Sequence, residues 1–320
     1  MKHNGDLVSV IIPTFNRKGM LIECIDSVLK STYKNIEIIV SDDASFDGTR
    51  EAVAKYKSLE NFKYLRNKKE SLLSVTINKA IFASSGEYIF ILDDDNVIDK
   101  NCISSLVSSF AKFKDAGIVG PIAFYKSHPD IIMHAGAVKS PFMRRYKFVH
   151  MNEKWKGQIK EGEELESIGN AFMFKRESAE MAGLWDLQVP FVGEDDNFES
   201  RVRKVGYRLV INPNAKVYHN RVISSAGWEG RVNKIRMYNV LHNKIVNEYR
   251  YDSLICKITF TLSLLAYILF YIRMIYKENG EIKEKNDILK SLLSGVLDGL
   301  SDSIFDKSRI QYLDDNNVNS

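Results

Sequence analysis

Three runs of carboxylates hold most of the chemical potential of this chain: Asp42-Asp43, Asp93-Asp94-Asp95 and Glu194-Asp195. Neighbouring carboxylates repel one another, and a run of three is costly unless something neutralises it. A divalent cation does this well, because Mg2+ and Mn2+ take oxygen ligands and share them between one or two carboxylates and substrate phosphates. Asp93 and Asp95 stand two apart, so they point the same way if extended geometry persists. The competing reading is a solvated acidic turn that caps the next helix. Asp42 can accept hydrogen bonds from a pyrimidine N–H or from ribose hydroxyls, while Asp47-Gly48-Thr49 reads as a turn and helix cap. Glu194-Asp195 precedes the amphipathic run Phe198, Val202, Val205, which puts the pair at a helix N-terminus. The helix dipole there favours an ionised carboxylate, as a base must be at neutral pH. Plain charge complementing that dipole is the alternative.

These residues need a frame, and hydrophobic periodicity supplies one. Leu7 to Ile12 is an apolar run stopped by Pro13, which suits a buried strand rather than a signal peptide. Met20, Leu21, Ile25, Val28 and Leu29 then recur at helical steps. Strands are expected over 36–40, 62–65 and 88–92. Helices are expected after Thr49 and over 77–83. Further on, 168–174, 207–211 and 216–219 read as strands and 198–205 as a helix. Strands alternating with helices imply an α/β fold with a doubly wound, mostly parallel, Rossmann-like sheet. Ligands of such sheets bind at the carboxyl ends of the strands. Thr14 to Arg17, Asp42-Asp43 and Asp93 to Asp95 each follow a predicted strand, so three polar clusters are expected on one edge.

Bulk properties narrow the partners. Apolar residues form 45 % of the 320, enough for a substantial core, and a net charge of +4 is too small to indicate nucleic acid. Cys24, Cys102 and Cys256 are odd in number and far apart, which fits a reducing compartment and no disulfide framework.

PTFNR (13–17), SDDASFDGT (41–49), GEYIFILDDDNVI (86–98), SIGNAFMFKRESAEMAGLWD (167–186) and GEDDNFESRVRKVGYRLVINPNAKVYH (193–219) follow one another in the order and spacing of the blocks of family 2 glycosyltransferases. The chain resembles that family over about residues 7 to 220. The resemblance implies a GT-A fold, a nucleotide-sugar donor, a divalent cation (Mn2+ or Mg2+) and an inverting transfer of a hexosyl type. It implies a donor-binding half over 1–124 and an acceptor-binding half over 125–225. Pro13, Thr14, Asn16, Arg17 and Asp42 would line the nucleotide pocket, with Asp93 and Asp94 on the donor. Asp95, with Asp93, would hold the cation. His219, where the family often carries histidine, would be a third ligand or touch the diphosphate. Asp195 would be the general base, beside Glu194. Asp94 replaces a more usual small or apolar residue, and Asn197 stands where an aspartate is frequent, which keeps Asp196 as a second candidate base. Arg201 and Arg203 could meet phosphate or be solvated helix charges, and Trp228 could stack on a sugar or pack in the core.

Residues 226–320 change character, and a helical extension is expected there. Six basic residues against two acidic ones between 231 and 257 precede the uncharged run 258–272. Fifteen helical residues reach only about 22 Å, short of the roughly 30 Å of a hydrocarbon core. Thr259, Ser263, Tyr267 and Tyr271 make a mildly polar stripe at four-residue steps. An interfacial or re-entrant helix at the cytoplasmic face of the membrane is therefore expected first, then a single span, then a soluble core helix. The motif KSLLSGVLDGL (290–300) resembles tails of rhamnosyltransferase-like members, and the tail DDNNVNS is expected to lack structure. A glycan or lipid-linked saccharide is the expected acceptor. Two other readings are a sugar-1-phosphate nucleotidyltransferase and an inactive, membrane-tethered sugar-binding protein. The first needs a Gly-rich basic loop that PTFNRKG lacks; retained acidic elements speak against the second.

Overall fold

A computed structural model describes residues 6–221, 232–278 and 280–304. Trp228 and the acidic tail lie outside the described residues.

The first half is built as the periodicity predicts. The elements are β1 (Val8–Thr14), α1 (Lys18–Leu29), β2 (Ile36–Asp42), a short α2 (Thr49–Ala52), β3 (Phe62–Arg66), α3 (Leu73–Phe82) and β4 (Tyr88–Leu92). β1, β2, β3 and β4 run parallel in the order β3-β2-β1-β4. Every residue of β1 and β2 is buried, as befits strands covered on both faces. The period of two divides them. Val8, Val10 and Ile12 join Leu21, Ile25 and Val28 of α1 in one core layer, while Ile11 and Ile39 join Ile77 and Ile81 of α3 in the other. The crossovers reverse direction between β1 and β4, and a crevice opens at that point.

The second half mixes short strands, hairpins and helices. It contains β5 (Asn96–Ile98), α4 (Cys102–Lys112), β6 (Ala116–Tyr125), β7 (His128–His134), β8 (Ala137–Lys139), β9 (Tyr146–Phe148), β10 (Glu164–Leu165), β11 (Ala171–Lys175), α5 (Arg176–Ala182), α6 (Glu194–Lys204) and β12 (Arg208–His219). The sheet continues as β4-β11-β6-β12-β10. β11 lies antiparallel between β4 and β6, because the chain leaves β6 through the β7 hairpin and not through a helical crossover. The two strands expected over 207–211 and 216–219 are one strand, with a register shift between Asn212 and Lys216 around Pro213. Beyond that irregularity β12 pairs with β5, and His219 comes opposite Asn96, beside the acidic triplet.

The C-terminal extension is a three-helix module: α7 (Lys234–Tyr251), α8 (Leu254–Lys277) and α9 (Ile282–Ile304). Asn233 and Ser253 cap α7 and α8 by accepting from the N–H of Arg236 and Cys256. Met237, Leu241 and Ile245 of α7 pack with Phe260 and Ile275 of α8 and with Ile288 and Leu292 of α9. α9 presses on α7 through two glycines. A methyl group on Gly295 would sit 2.2 Å from the Tyr238 carbonyl oxygen, and one on Gly299 2.9 Å from that of His242. The tail motif thus has a packing reason.

The uncharged run 258–272 lies inside a helix of 24 residues, about 36 Å long and, among the described residues, the helix long and apolar enough to cross a membrane. Its polar stripe does not face outward. Ser263, Tyr267 and Tyr271 are buried against the module, and Leu254, Ile258, Leu262, Leu265 and Leu269 are exposed.

A pair of helical glycines tests the packing of the module. Alanine normally gains about 1 kcal/mol over glycine inside a helix. Gly19→Ala in α1, with nothing within 4 Å, should therefore be neutral or stabilising. Gly295→Ala should instead lower stability by about 1–3 kcal/mol through overpacking, read as a fall in Tm. Equal shifts for both would mean that α9 does not seat on α7.

Candidate active site

The crevice between the ends of β1 and β4 holds the acidic triplet. Thr14 Oγ1 donates to Asp94 Oδ2 at 2.6 Å, and the Arg17 guanidinium reaches Asp94 Oδ1 at 3.1 Å and Asp95 Oδ2 at 2.9 Å. Asp94 is buried and occupied from both sides. It straps the β1 loop to the β4 loop and lines the crevice together with Asp93. Burial lifts the Asp94 carboxyl to about 6 even against Thr14 and Arg17. Burial, with Asp95, Asp195, Asp94 and Glu194 all nearby, holds Asp93 well above the usual carboxylate range. Negative charge is in excess here.

On the far side, Asp95 Oδ1 lies 3.3 Å from His219 Nε2 without hydrogen-bond geometry. Asp95 Oδ1 and His219 Nδ1 are buried atoms with no hydrogen-bond partner. Among the described residues, no three His, Cys, Asp or Glu side chains form a ready-made metal cage. Two oxygen ligands, an imidazole and unsatisfied buried atoms fit a cation that completes its shell with phosphate oxygens.

The nucleotide end corrects one expectation. Asp42 does not line the cleft: it is fully buried, accepts from the Ser45 N–H at 2.8 Å and from the Tyr64 hydroxyl, and lies 3.7 Å from Arg66 Nε. Its neighbour Asp43 lines the cleft with Pro13, Thr14, Phe15 and Arg17. Asp43 accepts from Asn67 Nδ2 at 2.7 Å and from the N–H groups of Ser71 and Leu72 at 2.8 and 3.0 Å. The physical reason is alternation. β2 extends through Asp42, so that side chain still points into the sheet layer, and Asp43 is the first residue turned to the crevice. Asn16 is also taken, accepting from the Phe46 N–H at 2.8 Å in the neighbouring loop.

Glu194 and Asp195 open α6, whose first turn holds three acids. They are presented by a turn in which Val192 (φ 65°) and the cap Gly193 (φ 90°) are both left-handed. A β-branched residue there is strained and must be held by its surroundings. Asn243 Nδ2 of α7 donates to the carbonyls of Phe191 and Val192 at 2.8 Å each, and Asn247 Nδ2 donates to that of Gly193 at 3.2 Å. The Trp185 indole, stacked on Phe198 at 4.1 Å, donates to Asp195 Oδ1 at 3.3 Å. Burial, partly offset by that N–H, raises Asp195 to about 6. Burial and then Asp195 raise Glu194 to about 8. Desolvation therefore outweighs the dipole expected to keep this pair acidic, though Asp195 remains largely ionised at neutral pH.

Neighbouring residues are settled differently. Asp196 turns away from the cleft, to Asn247 at 3.3 Å and Lys139 at 3.8 Å. Asn197 is buried and bonds Asn247 at 2.7 Å. Arg201 is neither a phosphate ligand nor a solvated charge: its guanidinium holds the carbonyls of Ala182, Gly183 and Leu184. Arg203 lies 3.7 Å from Glu166. Sequence reasoning missed Trp185, Asp43 and the α7 asparagines. The spacing of Asn239, Asn243 and Asn247, poor helix formers on one buried helical face, was the available signal.

The cleft is about 840 Å3, and its far wall comes from the C-terminal module, through Asn233, Lys234 and Ile235 at the start of α7 and Glu284 and Ile288 of α9. Glu194 and Phe191 reach it from one side and Asp93 and Asp94 from another. Strand-end acids, Glu194 and a wall of helix thus share one space.

Comparison with known proteins speaks to the family and the fold. Glycosyltransferase GlyG of Streptococcus pneumoniae is 35 % identical over 116 residues, which is 36 % of this chain and 38 % of that protein. The GalNAc(5)-diNAcBac-PP-undecaprenol beta-1,3-glucosyltransferase of Campylobacter jejuni is 36 % identical over 102 residues, 31 % of this chain and 33 % of that one. The matched stretches span little more than a third of those relatives. Among solved structures, GalNAc-T7 with UDP, GalNAc and Mn2+ superposes with a TM-score of 0.63 at 20 % identity, covering 91 % of this chain and 55 % of that one. At that identity the likeness concerns the fold, which is GT-A. The family model described as glycosyl transferase family 2 matches residues 9–181, more than half of the chain, and the chain therefore belongs to glycosyl transferase family 2.

Proposed function

We propose that this chain is an inverting glycosyltransferase that moves a hexosyl group from a nucleotide-diphosphate-sugar to a glycan or lipid-linked saccharide, with Asp195 as general base. The observation that carries the reading is that Asp93 and Asp94 of the strand end and Glu194 of the helix start line one cleft, with Asp95 and Asp195 close enough to Asp93 to raise its proton affinity. Asp43, Pro13, Thr14 and Arg17 of the 1–124 half bind the nucleotide end, and 125–225 supplies the acceptor side. The acceptor hydroxyl gives its proton to Asp195 as its oxygen attacks the anomeric carbon, and the nucleoside diphosphate leaves from the opposite face. The N–H of Trp185 keeps Asp195 oriented and ionised. Glu194, protonated near neutral pH, donates a hydrogen bond to the sugar or acceptor. Asp93 and Asp95, with His219, would hold Mn2+ or Mg2+, which when bound offsets the charge of the leaving diphosphate. The GalNAc-T7 complex with UDP and Mn2+ supports this at the level of the shared fold.

The location follows from α8. A helix that crossed the bilayer would have to leave α7 and expose Ser263, Tyr267 and Tyr271, whereas a helix lying in the interface keeps them packed and gives its apolar side to lipid. We assign the protein to a membrane surface on this basis, through residues 226–320, and to its cytoplasmic side because the three cysteines are free. A relative named for an undecaprenol-linked substrate supports a lipid-linked acceptor.

Three outcomes are expected. Asp195→Asn should bind donor like wild type yet lose about 10²- to 10⁴-fold in kcat, since Asn keeps the size but takes no proton; near-normal turnover removes Asp195 from the role. Asp95→Ala should abolish Mn2+-dependent binding of a nucleoside diphosphate in calorimetry with the melting curve preserved, and unchanged affinity refutes the cation assignment. The third concerns pH. A base raised to about 6 is lost as pH falls through that value, so kcat/KM should drop below about pH 6. Trp185→Phe removes the N–H that favours the ionised form, and should move this limb to higher pH. A limb that stays put would detach Trp185 from Asp195.

A further inference from the structure

The hairpin joining β8 and β9 projects an apolar tip. Phe142 is 80 % exposed, and Met143 beside it is exposed as well. The tip is not loose. The Ser140 N–H donates to the Arg145 carbonyl at 2.8 Å, and the Arg144 N–H to the Ser140 carbonyl at 3.0 Å, so the turn closes on itself. Both its arms are bolted to the end of α7. On one arm Lys139, its side chain fully buried, lies 3.2 Å from Glu248 and 3.4 Å from Asp252. On the other, Arg144 lies 3.0 Å from Glu248 and 2.9 Å from Asp252. Two carboxylates thus clamp the two cations that flank 140–143, and what lies between them is forced outward.

The tip adjoins α8. Tyr267 of α8 donates its hydroxyl to the Met143 carbonyl at 2.8 Å, and the Arg145 guanidinium stands 5.4 Å over the Phe270 ring. Phe142 and Met143 therefore continue the exposed apolar side of α8, where Leu262 is 79 % and Ile255 75 % exposed. The two stretches of chain that carry these apolar groups hold charge of one sign. No Asp or Glu occurs between Asp130 and Glu153, nor between Asp252 and Glu278, while Arg145, Lys147, Arg273 and Lys277 are exposed basic residues within those stretches. Aromatic and aliphatic groups edged by cations and free of acids match a bilayer with anionic headgroups: the apolar groups enter, and the long basic side chains reach back to phosphate.

We propose that the Ser140–Arg145 tip is a second membrane contact, inserting Phe142 and Met143 into an anionic bilayer beside α8. This rests on the interfacial reading of α8. It adds that docking uses two segments more than 100 residues apart in sequence, which fixes the rotation of the protein on the membrane as one segment alone cannot.

Full-length protein would be floated with vesicles of phosphatidylglycerol and phosphatidylcholine, and with phosphatidylcholine alone. Phe142→Ser/Met143→Ser should weaken partitioning about tenfold or more without changing the melting curve, because both side chains are exposed. Arg145→Gln/Lys147→Gln should remove much of the preference for phosphatidylglycerol. Leu262→Ser/Leu265→Ser in α8 is the control. If the α8 variant stays off vesicles and the tip variant floats like wild type, the tip proposal is overturned and interfacial α8 stands. If wild type and the α8 variant behave alike, the membrane reading of α8 fails and takes the tip with it. A lipid-free dimer that the tip variant dissociates would make this face an interface between copies and overturn the proposal.

Discussion

The left-handed turn at Val192-Gly193 is the constraint on which this molecule depends. Left alone, a valine with positive φ would relax, and Glu194 and Asp195 would turn with it. Two asparagines on the buried face of α7 prevent this by holding the three carbonyls of the turn. The sheet alone therefore does not complete the cleft. The C-terminal helices position the acidic pair of α6, supply the cleft's far wall and carry the apolar face of α8. Packing of α9 on α7 through Gly295 and Gly299 stands behind all three.

A second organising feature is unbalanced charge. Asp93, Asp95, Glu194 and Asp195 gather in one region, and burial makes the protons of Asp93, Glu194 and Asp195 harder to lose. Protein interiors tolerate such clusters where a ligand supplies the missing charge or where proton affinity itself is used. The contrast with the Lys139-Arg144-Glu248-Asp252 group is instructive. There the charges are buried too, but cations and anions meet one another, and the group acts as a clamp.

Much of this was legible in the sequence because local rules and global fold agree in the first half. A strand buried on both faces must be apolar throughout, and a polar cluster after it must lie at the sheet's carboxyl edge, so Thr14, Arg17 and Asp93 to Asp95 could be placed together. Legibility ended where position depends on a single residue or on distant packing. Asp42 and Asp43 differ by one step along β2, and no periodicity tells which is the last residue in the sheet. The roughly forty residues from β7 to β10 carry short hairpins whose partners lie far off in sequence, and β11 turns antiparallel for that reason. The stripe of Ser263, Tyr267 and Tyr271 was readable, but which side of α8 it faced was set by α7. Arg201 looked like a surface charge because nothing in its own helix announces the three carbonyls it caps.

The hold of Arg17 on Asp94 and Asp95 has a consequence for biogenesis. The guanidinium is a counter-ion tethered to the chain, already in place when β1 and β4 come together. A newly made molecule can thus close its sheet around the acidic triplet without waiting for any ion from the surroundings. Folding of the crevice and any later filling of it become separate events.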